Sequence, residues 1–126
     1  MKEEKSFGVT SNGTYRYAGA GGFFCYDMSV DPGKRNILSI EISSRDERKP
    51  LTVIVGREIV FSERLIGNSG RDFYREEIYL NGELLARNCR KKRANGHDYT
   101  VIPVRFEGTK DCESAGLYNL IEIFCD

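Results

Sequence analysis

The residues in this 126-residue chain that could do chemistry are its carboxylates, four cysteines, one histidine and a set of tyrosines. Glu76 and Glu77 are neighbours in an extended stretch, so they point to opposite faces and cannot jointly flank a scissile bond. His97 stands in the turn Asn95-Gly96-His97-Asp98, and no pattern around it names a nucleophile or water for it to deprotonate. Cys112 lies between Asp111 and Glu113, a setting that disfavours activation of a thiol. Cys25, Cys89, Cys112 and Cys125 form no Cys-x-x-Cys pair, and one histidine cannot complete a mixed zinc site. Gly19-Ala20-Gly21-Gly22 precedes a strand instead of leading from one into a helix, which argues against a phosphate cradle. The residues thus predict no catalytic group, no metal and no other cofactor. Tyr15 and Tyr17 share one side of an extended segment and could present a stacking platform for a ring, or pack onto a sheet edge.

What must position these residues is a set of short strands. In Gly22 to Val30, Phe24, Tyr26, Met28 and Val30 share one face, and Phe23, Cys25 and Asp27 the other. Asp31-Pro32-Gly33-Lys34 then predicts a type II reversal, with Ile37 to Ser43 as the partner strand. There Leu38, Ile40 and Ile42 point inward, and Ser39, Glu41 and Ser43 to a wet outer face. Leu51 to Val55 and Glu58 to Glu63 flank only Gly56-Arg57, which predicts a type II′ hairpin. Phe73 to Tyr79, Tyr99 to Glu107 and Gly116 to Phe124 are further strands, and Pro103 predicts a bulge or an outward N–H.

Segments 44–49 and 66–71 read as loops, as does 108–115, and residues 1–20 as a loop-rich start with at most a short edge strand near Thr14 to Tyr17. Asn81 to Arg87 could make one helical turn at most. Seven or eight short strands separated by polar turns predict one all-β domain over residues 1–126, a two-layer antiparallel β-sandwich of jelly-roll type.

Charge excludes some partners. Nineteen basic and nineteen acidic residues leave no net field to draw the chain to nucleic acid or an anionic membrane. The basic run Arg87-Asn88-Cys89-Arg90-Lys91-Lys92-Arg93 has no second patch beside it and reads as a solvated connection between strands. No stretch is long and apolar enough to span a bilayer, and Met1-Lys2-Glu3-Glu4-Lys5 leads into no signal core. As written, the chain reads as soluble and cytoplasmic.

The run Gly22-Phe23-Phe24-Cys25-Tyr26-Asp27-Met28-Ser29-Val30-Asp31-Pro32-Gly33-Lys34 resembles the C-terminal β-sandwich of bacterial β-L-arabinofuranosidase-type glycoside hydrolases, which carry a similar strand and Pro-Gly turn. The likeness continues in pattern through Leu38 to Ile42, Leu51 to Phe61, Phe73-Tyr74, Val101 to Phe106 and Gly116 to Leu120. Ile42-Ser43-Ser44 stands where that family often has an aromatic-Trp-Gly stretch, and Gly56-Arg57 replaces its Asp-Gly turn. In the family, catalysis sits in a separate helical barrel, so the resemblance implies a non-catalytic accessory domain whose partner is that catalytic domain. An arabinose-containing oligosaccharide is the implied ligand, and Tyr15, Tyr17, Tyr74, Tyr79 and Tyr118 are the aromatics available to stack on it. An autonomous carbohydrate-binding module, and a purely structural or protein-interaction domain, are the alternatives.

Overall fold

A computed structural model describes residues 2–3, 6–10, 13–18, 20–43, 48–65, 72–109, 111–112 and 114–125, with the backbone alone for 2–16 and 118–120. Two sheets account for its strands. The first runs β1 (Lys2–Glu3), β4 (Gly22–Ser29), β10 (His97–Glu107), β6 (Pro50–Val55) and β7 (Glu58–Arg64), with β9 (Arg90–Ala94) also paired to β10. The second runs β2 (Ser6–Thr10), β3 (Gly13–Tyr17), β11 (Leu117–Cys125), β5 (Asn36–Ser43) and β8 (Phe73–Leu80). All pairings are antiparallel except the two-residue β1–β4 contact. Without β1, β2 and β9, the orders β4-β10-β6-β7 and β3-β11-β5-β8 are those of a jelly roll, the chain crossing between sheets at nearly every connection.

The core lies between the sheets. Phe24 and Phe106 are opposite in register and stack with centroids 5.0 Å apart, and Tyr26 meets Phe24 edge-on at 5.9 Å. Leu38, Ile40 and Ile42 of β5 face them together with Val53, Val55, Ile102 and Val104, all fully buried. The inward faces of β4 and β5 are therefore those the alternation predicted. Their relation is not: β5 belongs to the other sheet and pairs with β11 and β8, while β4 pairs with β10. Two strands joined by a short turn look like a hairpin in sequence, and only the partners' faces reveal a crossing between layers.

The turn itself also differs. Lys34 N–H donates to the Asp31 carbonyl at 3.0 Å, closing the expected reversal, but Gly33 is not at positive φ, so a type II geometry is excluded. The Asp31 carboxylate accepts from Gly33 N–H, and buried Asn36 accepts from Asp31 N–H while donating to the carbonyls of Asp31 and Lys34. These side chains fix the turn, as Asx motifs do.

The remaining differences have local causes. Residues 82–88 form a two-turn helix, α1 (Gly82–Asn88), because Asn81 caps it by accepting from Leu84 N–H and because Leu84 and Leu85 are buried against the core. Of the basic run, Arg87 and Asn88 end α1, while Arg90 to Arg93, exposed as expected, form most of strand β9 rather than a connection, closed onto β10 by Asn95-Gly96 with φ of 53° and 78°, a type I′ pattern. The N-terminal segment supplies three strands, and β3 is interior between β2 and β11.

Ser114, expected in a polar loop, is fully buried and exchanges bonds with Ala18 at 2.8 and 2.9 Å. Pro103 makes no bulge. Its carbonyl accepts from Gly56 N–H, so its missing N–H falls on that same side of the strand, in the gap where β9 ends and β6 begins. Gly56 alone of the Gly56-Arg57 pair has positive φ, as a type II′ turn requires. Segments 44–47 and 66–71, expected as loops, lie outside the described residues.

Candidate functional site

The outer face of the second sheet brings together side chains far apart in sequence. On β5, Ile37, Ser39, Glu41 and Ser43 alternate with the buried Leu38, Ile40 and Ile42. On β8, Tyr74 and Ile78 pack on the core, which turns Phe73, Arg75, Glu77 and Tyr79 outward. On β11, Ile121 and Ile123 pack inward and Glu122 and Phe124 lie on the outside.

Register arranges these into rows across the strands. Tyr79, Ile37 and Phe124 are aligned, then Glu77, Ser39 and Glu122, and then Arg75 and Glu41, whose row continues in the backbone alone through Tyr118 on β11 and Tyr15 on β3. Tyr79 is 58% exposed and Phe124 42%, so two aromatic side chains flank Ile37 about 10 Å apart, two strand spacings.

Arg75 ties the middle rows together. Its Nε donates to Ser39 Oγ at 2.8 Å, Nη1 donates to Glu41 Oε2 at 3.3 Å, and Nη2 lies 3.6 Å from Glu122 Oε1. One guanidinium thus reaches three strands and explains why Ser39 is fully buried on a face expected to be wet. The sequence placed Ser39 and Glu41 outside but could not show that an arginine 36 residues later covers them.

The five tyrosines divide. Tyr79 is exposed on this face, Tyr17 is half-buried at the end of β3, and Tyr74 packs against the core and cannot stack on a ligand outside. Backbone register sets Tyr15 opposite Tyr118, one strand from Glu41, and their side chains lie outside the described residues. Phe124, Arg75 and Glu122 were missed because each follows from pairing between distant strands rather than from its neighbours in sequence.

An exposed aromatic row can take the apolar C–H face of a sugar ring, and a guanidinium held between two carboxylates offers donors and acceptors to its hydroxyls. On the opposite sheet the basic run meets acids. Arg90 donates to Asp27 Oδ2 at 2.7 Å and Lys92 at 3.5 Å, Arg93 pairs with Asp98 at 3.5 Å, and Lys91 donates to Thr100 Oγ1. Burial pushes the Asp27 carboxyl up, but the bonds and charges of Arg90 and Lys92 outweigh it and hold it below its usual range.

The Arg87 guanidinium and the Asn88 amide bond Glu58 and hold its carboxyl below the usual range. None of the four cysteines is in a disulfide, and among the described residues no group of three or more His, Cys, Asp or Glu side chains could hold a metal ion. No helix among them is long and apolar enough to cross a membrane. Comparison of the chain with family models, curated proteins and solved structures returned no match.

Proposed function

We propose that this chain is a non-catalytic accessory β-sandwich of an arabinofuranosidase-type glycoside hydrolase. It packs on a catalytic domain and offers the outer face of its second sheet to an arabinose-containing oligosaccharide. The observation that carries the sugar contact is the exposed Tyr79–Ile37–Phe124 row beside the Arg75 cluster. Ring stacking needs such aromatics, and the held guanidinium and carboxylates supply directional contacts to hydroxyls. The same row serves the second reading, an autonomous carbohydrate-binding module, which needs no catalytic partner.

Titration calorimetry with arabino-oligosaccharides tests the contact. The native chain should bind, and Tyr79→Ala should weaken binding about tenfold, the effect of losing one stacked aromatic. No binding to any arabino-oligosaccharide removes the sugar contact and leaves a structural or protein-interaction domain. Turnover of arabinofuranosides by the purified chain would remove the non-catalytic reading. Co-elution with a helical-barrel hydrolase separates the accessory role from the autonomous one.

A further inference from the structure

The outer face of the first sheet carries a pocket of 540 Å³, within the size range of small-molecule sites. Phe23, Ile54, Ile59 and Pro103 give it apolar walls, with Cys25 beside them. A β-bulge shapes one wall. Phe61 pairs with Val53 and Ile59 with Ile54, so Val60 is an extra residue. The bulge holds Ile59 on the outer face, 65% exposed, while Phe61 packs on the core.

The rim is fixed. Arg57 N–H donates to Asn88 Oδ1 at 3.0 Å, and a Cβ on Gly56 would collide with the Asn88 side chain, so the β6–β7 turn sits hard against the end of α1.

Two guanidiniums reach this pocket. Arg57 makes no ion pair among the described residues. Arg105 lies with Cζ 4.9 Å over the Phe23 ring, a cation–π contact. Its Nε is 2.7 Å from Glu107 Oε2 but out of line for a hydrogen bond, and among the described residues no hydrogen bond engages its terminal amino groups. Glu107 is only 8% exposed. Arg57 and Arg105 less Glu107 leave one net positive charge. A single carboxylate matches that charge, whereas a dianion would set an unbalanced negative charge against the buried Glu107.

We propose that this pocket binds a small apolar molecule bearing one carboxylate, its hydrocarbon body against Phe23, Ile54 and Ile59 and its carboxylate between Arg57 and Arg105. The site is on the sheet opposite the saccharide face, so its failure leaves the proposed function standing.

The test is an amide NMR titration of the intact chain with 3-phenylpropionate and, separately, with the neutral 3-phenylpropanol. The acid should shift the Gly56, Arg57, Ile59 and Arg105 amides but not that of Tyr79. The alcohol should bind at least about fivefold more weakly, and Arg57→Gln should weaken the acid about fivefold while leaving the alcohol unchanged, the scale of one exposed ion pair. Bound acid should also slow alkylation of Cys25 by iodoacetamide while exposed Cys125 reacts at its former rate. Equal binding of acid and alcohol, an Arg57→Gln variant that binds the acid as before, or no perturbation of the pocket amides at millimolar acid would each overturn the proposal.

Discussion

The space between the sheets and the outer face of the first sheet are one residue apart along β4, yet they treat the same side-chain types in opposite ways. Phe24 is 1% exposed and stacked on Phe106, whereas Phe23 is half-buried and lies under a guanidinium. Acids divide likewise. Asp27, outside, is held below its usual pKa by two cations, while Glu76, on the inward side of β8, is pushed above its own by burial and by Glu63. The inner layer derives its stability from shape and the outer faces from paired charge, which can be screened or titrated.

The largest expected effect is in the inner layer. Phe24→Ala removes a closely packed ring and should cost about 3–5 kcal/mol, a large share of the roughly 5–15 kcal/mol available to a domain. Phe23→Ala gives up partial burial and one cation–π contact, so about 1–2 kcal/mol is expected. Urea denaturation of both variants measures the difference. Equal losses, or a larger one at Phe23, would break the distinction between the two faces.

The inner face was the legible part of the chain, and for a physical reason. Alternation with period two reports which side of a strand is buried, and it identified Phe24, Leu38, Ile40 and Ile42 without reference to any partner. What alternation does not report is which strand lies alongside, so β5 reads as the hairpin partner of β4 although it lies in the other sheet. Nor does it reveal cover on the outside, where Arg75 buries Ser39. The predicted tyrosine set shares the limit: it includes Tyr79 but not Phe124, which lies across Ile37 from it, and it includes Tyr74, whose strand position turns it to the core. The basic run hides a strand because Arg90 to Arg93 offer no apolar alternation, and its acid partners Asp27 and Asp98, 63 and 5 residues from Arg90 and Arg93, meet it only once the β9–β10 hairpin forms. Local capping was legible in principle, since Asn81 stands three residues before the Leu84 N–H that it receives.

Asp27→Asn sharpens the contrast on the outer side. Because the folded pKa lies below the usual 3.8, the native carboxylate contributes stability above that value and loses it as pH falls through the folded value. The variant should therefore be less stable by about 1 kcal/mol or less at neutral pH, since the pair is part-exposed. The gap should close in acid below pH 3.8 and narrow in high salt. Thermal melts from neutral pH to strong acid measure it, and a gap that stays constant down to acid would mean that the Arg90 and Lys92 contacts do not stabilise the fold.

Glu76 should show the inverse sign and the smallest effect. It pairs in register with the buried Ile40 on edge strand β8, and Glu63 pairs with the buried Leu51 on edge strand β7, so two acids meet where the sandwich opens at its rim. Burial is the larger cause of the raised pKa and the Glu63 charge the second. A carboxyl with a folded pKa above the usual 4.5 contributes its full stability below that value and loses it as pH rises through the folded value. At neutral pH the native chain carries the penalty, so Glu76→Gln should be more stable by about 0.5 kcal/mol or less, given how much solvent screens the site. That advantage should vanish as pH falls below 4.5. Glu63→Gln should recover only the smaller share, because it removes the neighbouring charge and leaves the burial. If Glu76→Gln instead destabilises at neutral pH, the carboxylate has a stabilising partner at the rim, and the inner space would not oppose charge as the contrast with Asp27 requires.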